Sequence, residues 1–100
     1  MPWIIVNLAP PTAKSYDVHE LGDACVMTAS EVLRIPTEYV VVHVVAGDPA
    51  PSGARGCVIQ VAGRQRAVEL EQQLSEALIH VVARAAGLDA EGVCLIRTFS

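Results

Sequence analysis

The chain has no run of basic residues: its densest basic stretch is Arg64 and Arg66, and its formal net charge is −4. Nucleic-acid binding wants a basic face, so no nucleic-acid partner is expected. Long apolar runs are missing too. None approaches the ~20 residues that span a bilayer, and Trp3–Leu8 is too short, with no basic segment before it, to be a secretion signal. Neither a membrane partner nor export is expected. The three cysteines, Cys25, Cys57 and Cys94, form no CxxC pair, which argues against a disulfide framework or a zinc site. Their apolar surroundings predict packed thiols in a reducing cytoplasm. His19, His43 and His80 lack metal-ligand spacing, and no glycine-rich phosphate loop follows a strand. The chain is therefore read as needing no cofactor. His43, inside a valine-rich strand, is expected to be a hydrogen-bonded core histidine.

Apolar residues are plentiful: 52% of 100 residues are hydrophobic and only 18% are charged. A chain this short buries a limited share of its surface, so part of that excess is expected to face other subunits. The apolar residues also recur. At an offset of 53, Ile4-Ile5-Val6-Asn7-Leu8-Ala9 falls on Cys57-Val58-Ile59-Gln60-Val61-Ala62 without a gap, Leu21 on Leu74, Ala24 on Ala77 and Glu38 on Glu91. Two similar units are fused, which predicts one domain over 1–100 with repeat one at 2–46 and repeat two at 55–98.

Each unit reads strand–helix–strand. Trp3–Leu8 is the first strand. A helix is expected from an N-cap at Ser15, with Val18, Leu21, Cys25, Thr28 or Ala29, and Val32 on its apolar face, ending before Pro36. Tyr39–Val45 reads as a β-branched strand, and the turn-rich segment 48–53 as the link between repeats. Cys57–Ala62 is the third strand. Residues 63–66 turn into a second helix with Leu70, Leu74, Ala77 or Leu78, Val81, Val82 and Ala85 on its face, and Gly87 stops it. Val93–Thr98 is the last strand. A right-handed crossover makes the strands of each unit parallel. The expected fold is α+β (α/β by local βαβ units): a four-stranded sheet with two helices on one face. The other face, apolar through Val40–Val42 and Val93–Ile96, is expected to be covered by oligomerisation.

Pro2 opens the first strand. Proline is small enough for Met1 to be removed during synthesis, leaving a secondary amine at the start of a buried strand. Desolvation and nearby cations both disfavour a protonated amine, and a neutral amine near pH 7 is a general base.

Pro2 at the head of a strand, the doubled βαβ unit and basic residues at strand ends resemble the tautomerase superfamily, which includes 4-oxalocrotonate tautomerase, macrophage migration inhibitory factor and malonate semialdehyde decarboxylase. The resemblance covers nearly the whole chain by pattern. It implies a homo-trimer, with sheets wrapped around a central barrel, and no cofactor. It also implies that Pro2 is the catalytic group acting on a small carboxylate substrate. Arg64-Gln65-Arg66 is similar to the Arg-x-Arg pair of the decarboxylase branch and would hold the carboxylate through charge-assisted hydrogen bonds. Lys14 resembles the first-loop arginine of the single-unit tautomerases. Glu38 lies near the position of the decarboxylase's acidic residue, Tyr39 and Arg97 stand at strand ends within reach of the site, and Trp3 would wall the amine from water. Val41 stands where 4-oxalocrotonate tautomerase has a second-strand arginine, so that clamp is missing.

Three functions follow. The first is a keto–enol tautomerase that uses neutral Pro2 on a small 2-oxo acid. The second is a decarboxylase, dehalogenase or hydratase that uses cationic Pro2. The third is a non-catalytic trimeric binding module.

Overall fold

A computed structural model describes residues 2–8, 17–46, 57–87 and 89–99. The elements are β1 (Trp3–Leu8), α1 (Val18–Leu33), β2 (Val41–Ala46), β3 (Cys57–Gly63), α2 (Val68–Ala86) and β4 (Val93–Phe99). Short 3-10 turns at Thr37–Tyr39 and Ala90–Gly92 precede β2 and β4. The strands form one sheet in the order β2-β1-β3-β4. Each βαβ unit supplies a parallel pair, and β1 and β3 meet antiparallel at the centre.

The register explains why the sequence offset runs without a gap. Val6 pairs with Ile59, which is its own counterpart 53 residues on (59 − 6 = 53), and both are fully buried. An antiparallel pair in which a residue meets its own counterpart lies on the pseudo-two-fold axis relating the repeats. Beside that axis on the other face, Asn7 Nδ2 donates to Oε1 of Gln60, again its counterpart, at 3.3 Å. The punctuation repeats as well. Both helices end on a left-handed residue, Arg34 at φ 55° and Gly87 at φ 70°.

Strand alternation splits the apolar residues between two faces. Ile4, Val6, Leu8, Ile59, Val61 and Val93 point to the helices, where they pack with Leu21, Cys25, Ala29 and Leu33 of α1 and with Leu74, Leu78 and Val82 of α2 in one core. Trp3, Ile5, Val41, Val45, Val58, Cys94 and Ile96 have the opposite parity and point to the open face. Both helices therefore lie on one side, as the repeats predict. The open face is not uniformly apolar, because Asn7, His43, Gln60 and Thr98 share its parity.

Several local expectations need correction. Asp17, not Ser15, caps α1: its carboxylate accepts from the N–H of His19 at 2.8 Å and of Glu20 at 3.3 Å, satisfying two of the helix's open donors. Ser15 itself lies outside the described residues, as do Lys14 and the linking segment 48–53. Val18 is exposed, and the buried stripe of α1 runs through Leu33, with Val32 only half-buried. In α2 it follows the i+4 row Leu74, Leu78, Val82 and Ala86 with Ala83 beside it, while Ala85 is exposed, because each i+4 step turns about 40° further round a 3.6-residue helix. β2 starts at Val41, since Thr37–Tyr39 take up a 3-10 turn after Pro36. Cys94 and His43 are exposed rather than packed, a consequence of strand parity that an all-apolar run conceals. Among the described residues no helix is long and apolar enough to cross a membrane.

Candidate functional site

β2 runs parallel to β1, β3 runs against it and β4 runs parallel to β3. One end of the sheet therefore collects the starts of β1 and β2 with the ends of β3 and β4. Pro2, Trp3, Glu38, Tyr39, Arg64, Arg66 and Arg97 all belong to this end. The sequence, which spreads them over nearly a hundred positions, shows this only through the repeat.

Pro2 is buried, and its carbonyl accepts from the Val41 N–H at 3.1 Å, which ties it to the head of β2. On the other side, the last ladder pair is Trp3 with Ala62. Past that pair β3 has one further residue, Gly63, and Arg64 follows it. Gly63 has φ 147°, a conformation that side chains rarely adopt, and there the chain leaves the sheet toward Arg64-Gln65-Arg66. Trp3 is half-exposed on the open face, with its ring centroid 5.9 Å from that of His43. It also lines a depression of about 300 Å³ with Ile5, Gln60, Ala62 and Thr98. Glu38 and Tyr39 are exposed on the 3-10 turn before β2.

Arg97 differs from the other cations. Its side chain is only 12% exposed and lies against Glu71 of α2, itself 16% exposed, with Nε 2.7 Å from Oε1 and Nη2 3.1 Å from Oε2. Nη1 donates to the carbonyls of Val61, Gly63 and Thr98, and Nη2 also donates to that of Arg64 at 2.9 Å. The Phe99 ring covers the guanidinium at 4.5 Å. A guanidinium has five N–H groups, and all of these are directed to protein acceptors. Glu71 also accepts the Arg66 N–H at 2.9 Å. Its carboxyl is held below the ordinary glutamate value, chiefly by the Arg97 hydrogen bond and then, against the cost of burial, by the Arg66 N–H and the two positive charges. Arg66 donates from Nη1 to the Arg64 carbonyl, which closes a compact turn. Beside it lies a cleft of about 420 Å³ lined by Arg66, Val68, Glu71, Gln72, Ser75 and Phe99.

Glu71 was not among the residues that the sequence singled out. Its signal is in the repeat: Glu71 and Arg97 replace Val18 and Val44 at the same offset (71 − 18 = 53 and 97 − 44 = 53), so two apolar positions become an opposite-charge pair together. Cys25 and Cys57 are buried thiols, pushed up to about 11 and about 12 by desolvation, and Cys57 further by its proximity to Cys25. Neither is a nucleophile at neutral pH. Among the described residues no group of three or more His, Cys, Asp or Glu is placed to hold a metal ion.

No family model matches the sequence, and no curated protein matches it. Solved structures do. A macrophage migration inhibitory factor homologue from Prochlorococcus marinus superposes with a TM-score of 0.82 at 18% identity, over 98% of this chain and 88% of that one. A fused 4-OT, solved as a symmetric trimer, gives 0.79 at 18% identity over 98% and 85%. FG41 malonate semialdehyde decarboxylase, inhibited by 3-bromopropiolate, gives 0.74 at 22% identity over 98% and 82%. The four-stranded mixed sheet with two helices is thus the fold that 4-OT, macrophage migration inhibitory factor homologues and malonate semialdehyde decarboxylase share, all of them tautomerase superfamily proteins.

Proposed function

We propose that this chain is a cofactor-independent keto–enol tautomerase that uses Pro2 as the general base on a small 2-oxo acid. The observation that carries the reading is the burial of Pro2 at the sheet end where β3 delivers Arg64 and Arg66. Once Met1 is removed, burial and neighbouring guanidinium groups favour the neutral amine. In ketonisation the Pro2 nitrogen takes the enol O–H proton, and the resulting ammonium delivers a proton to C3. The electron pair of the C2=C3 bond takes that proton as the C2=O bond forms. Arg64 or Arg66 holds the carboxylate and stabilises the enolate charge. Trp3 screens the amine, and Glu38 and Tyr39, on the turn before β2 at the same end of the sheet, complete the substrate-binding set.

The reading includes a homo-trimer, supported by a fused 4-OT of the same fold solved as a symmetric trimer and by the apolar side chains Trp3, Ile5, Cys94 and Ile96 on the open face. The Arg64/Arg66 pair also favours a second reading, a decarboxylase or hydratase in which Pro2 stays cationic and acts as an acid. The reading includes a cytoplasmic location, supported by three cysteines without disulfide-type spacing.

The test is phenylenolpyruvate ketonisation by the intact chain and by Pro2→Ala, together with intact mass. Expected are a mass without Met1 and turnover that is lost in Pro2→Ala. A retained Met1 overturns both enzyme readings in favour of a binding module, and unchanged turnover in Pro2→Ala overturns the base assignment. Product analysis with malonate semialdehyde and a 3-haloacrylate separates the two enzyme readings.

A further inference from the structure

We infer that Glu71 and Arg97 are positioning residues that hold the Arg64-Gln65-Arg66 turn in the geometry that grips the substrate carboxylate; the inference rests on the role given above to Arg64 and Arg66. The turn follows a glycine at φ 147° and belongs to neither β3 nor α2, so no sheet or helix ladder fixes its backbone. The ion pair does so instead. Arg97 donates to the carbonyls of Val61, Gly63 and Arg64, and Glu71 accepts from the Arg66 N–H. Four backbone groups within six residues are thus bonded to one bidentate pair, itself anchored on α2 and β4. With every Arg97 N–H directed to protein acceptors, this guanidinium has none to offer a ligand. It acts through its neighbours.

Ala67, at the N-cap of α2, makes no side-chain cap bond, so Glu71 reaches back past it to the Arg66 N–H. The same carboxylate therefore ends the turn and starts the helix. A carboxylate held beside Arg66 also offsets part of its charge, which sets how strongly the pair attracts an anion.

The repeat supplies the control. Glu71→Val/Arg97→Val installs the pair found in repeat one, Val18 and Val44, which line the equivalent groove there. Exchanging a largely buried ion pair for apolar residues that fit is often neutral for stability, so the double variant separates positioning from folding. Its measurements are thermal unfolding, amide exchange at Arg66, phenylpyruvate affinity by isothermal titration, and kcat and KM for phenylenolpyruvate. Expected are a melting temperature within a few degrees, exchange at Arg66 about tenfold faster, and affinity about tenfold weaker. KM should rise with the loss of affinity while kcat changes by less than threefold. Glu71→Gln, which keeps the shape and one acceptor, shows the same pattern at about threefold and serves if the double variant unfolds. Unchanged affinity and KM with faster exchange would mean that the pair only stabilises the fold, overturning the inference. So would a fall in kcat at constant KM. If the unsubstituted chain binds phenylpyruvate without turning over phenylenolpyruvate, the tautomerase reading fails, and affinity alone decides the positioning role. Failure of the unsubstituted chain to bind phenylpyruvate overturns both.

Discussion

In repeat one, Val18 of α1 and Val44 of β2 line a groove of about 200 Å³. In repeat two the corresponding groove is about 420 Å³ and holds Glu71 and Arg97, with Ser75 and Glu76 where repeat one has Gly22 and Asp23. The backbones correspond at the 3-10 turns and the left-handed helix ends, and although α2 starts three residues earlier at the offset (68 − 53 = 15, against Val18), the main difference is chemical. The fold needs something at these positions that covers the helix–sheet joint, and two valines do that. Repeat two uses a costlier solution, since charges brought out of water must be paired and hydrogen-bonded throughout. The return is control over the segment that leaves β3. The sequence diverges at the same offset beyond the strands as well: the counterparts of Pro2, Arg64 and Arg66 are Arg55, Pro11 and Ala13. Only repeat one heads its first strand with a proline, and only repeat two follows its first strand with an arginine pair.

That contrast can be broken at its strongest point first. Pro2→Ala is expected to lower phenylenolpyruvate ketonisation about 10²–10⁴-fold, the usual range for a positioned general base, whereas Arg55→Ala leaves it unchanged. Steady-state kinetics on both variants checks this. Within the groove, Glu71→Val alone leaves Arg97 largely buried without its carboxylate and should cost about 2–3 kcal/mol by urea unfolding. Adding Arg97→Val should restore most of that loss, showing that repeat one's solution serves both grooves. A third prediction concerns acid. With its carboxyl held below the ordinary 4.5 in the fold, Glu71 contributes stability that is full above that value and lost as the pH falls through the folded value. Unfolding curves of Glu71→Gln should therefore lose less stability on acidification from pH 5 than the unsubstituted chain, and the two should converge in strong acid.

The smallest effect compares the helix ends. Gly87 holds φ 70° without penalty, while Arg34 holds φ 55° with a Cβ. Gly87→Ala is expected to destabilise by about 1 kcal/mol and Arg34→Gly to stabilise by about 0.5–1 kcal/mol. Equal and same-signed shifts in the melting temperature would show that the two ends are not equivalent.

Much of the fold was legible because period and punctuation agree. The offset of 53 marked the two strand–helix–strand units, and Gly87 marked the end of α2. The cap of α1 was misassigned because Ser15 and Asp17 are both good caps, and only the course of the chain selects between them. His43 and Cys94 were misassigned because a run of valines gives no alternation from which to read which face each residue takes. Of the site, Pro2 and the Arg64/Arg66 pair could be picked out by residue type and position. Glu71 was missed, because a glutamate in the first turn of a helix is ordinary by itself, and only the paired replacement of Val18 and Val44 marks it with Arg97, 2.7 Å away.

The sequence by itself determined that two βαβ units are fused, the order of their strands and helices, and that a proline heads the first strand. These are local properties, written in apolar spacing and turn residues. The tertiary structure alone decided that four strand ends meet beside Pro2, that Arg97 is fully committed to backbone carbonyls and the Glu71 carboxylate, and that Glu71 joins it to the arginine turn. Those facts depend on antiparallel pairing between strands more than fifty residues apart, and on hydrogen bonds that exist only after the sheet has closed. Composition and spacing carry no record of either.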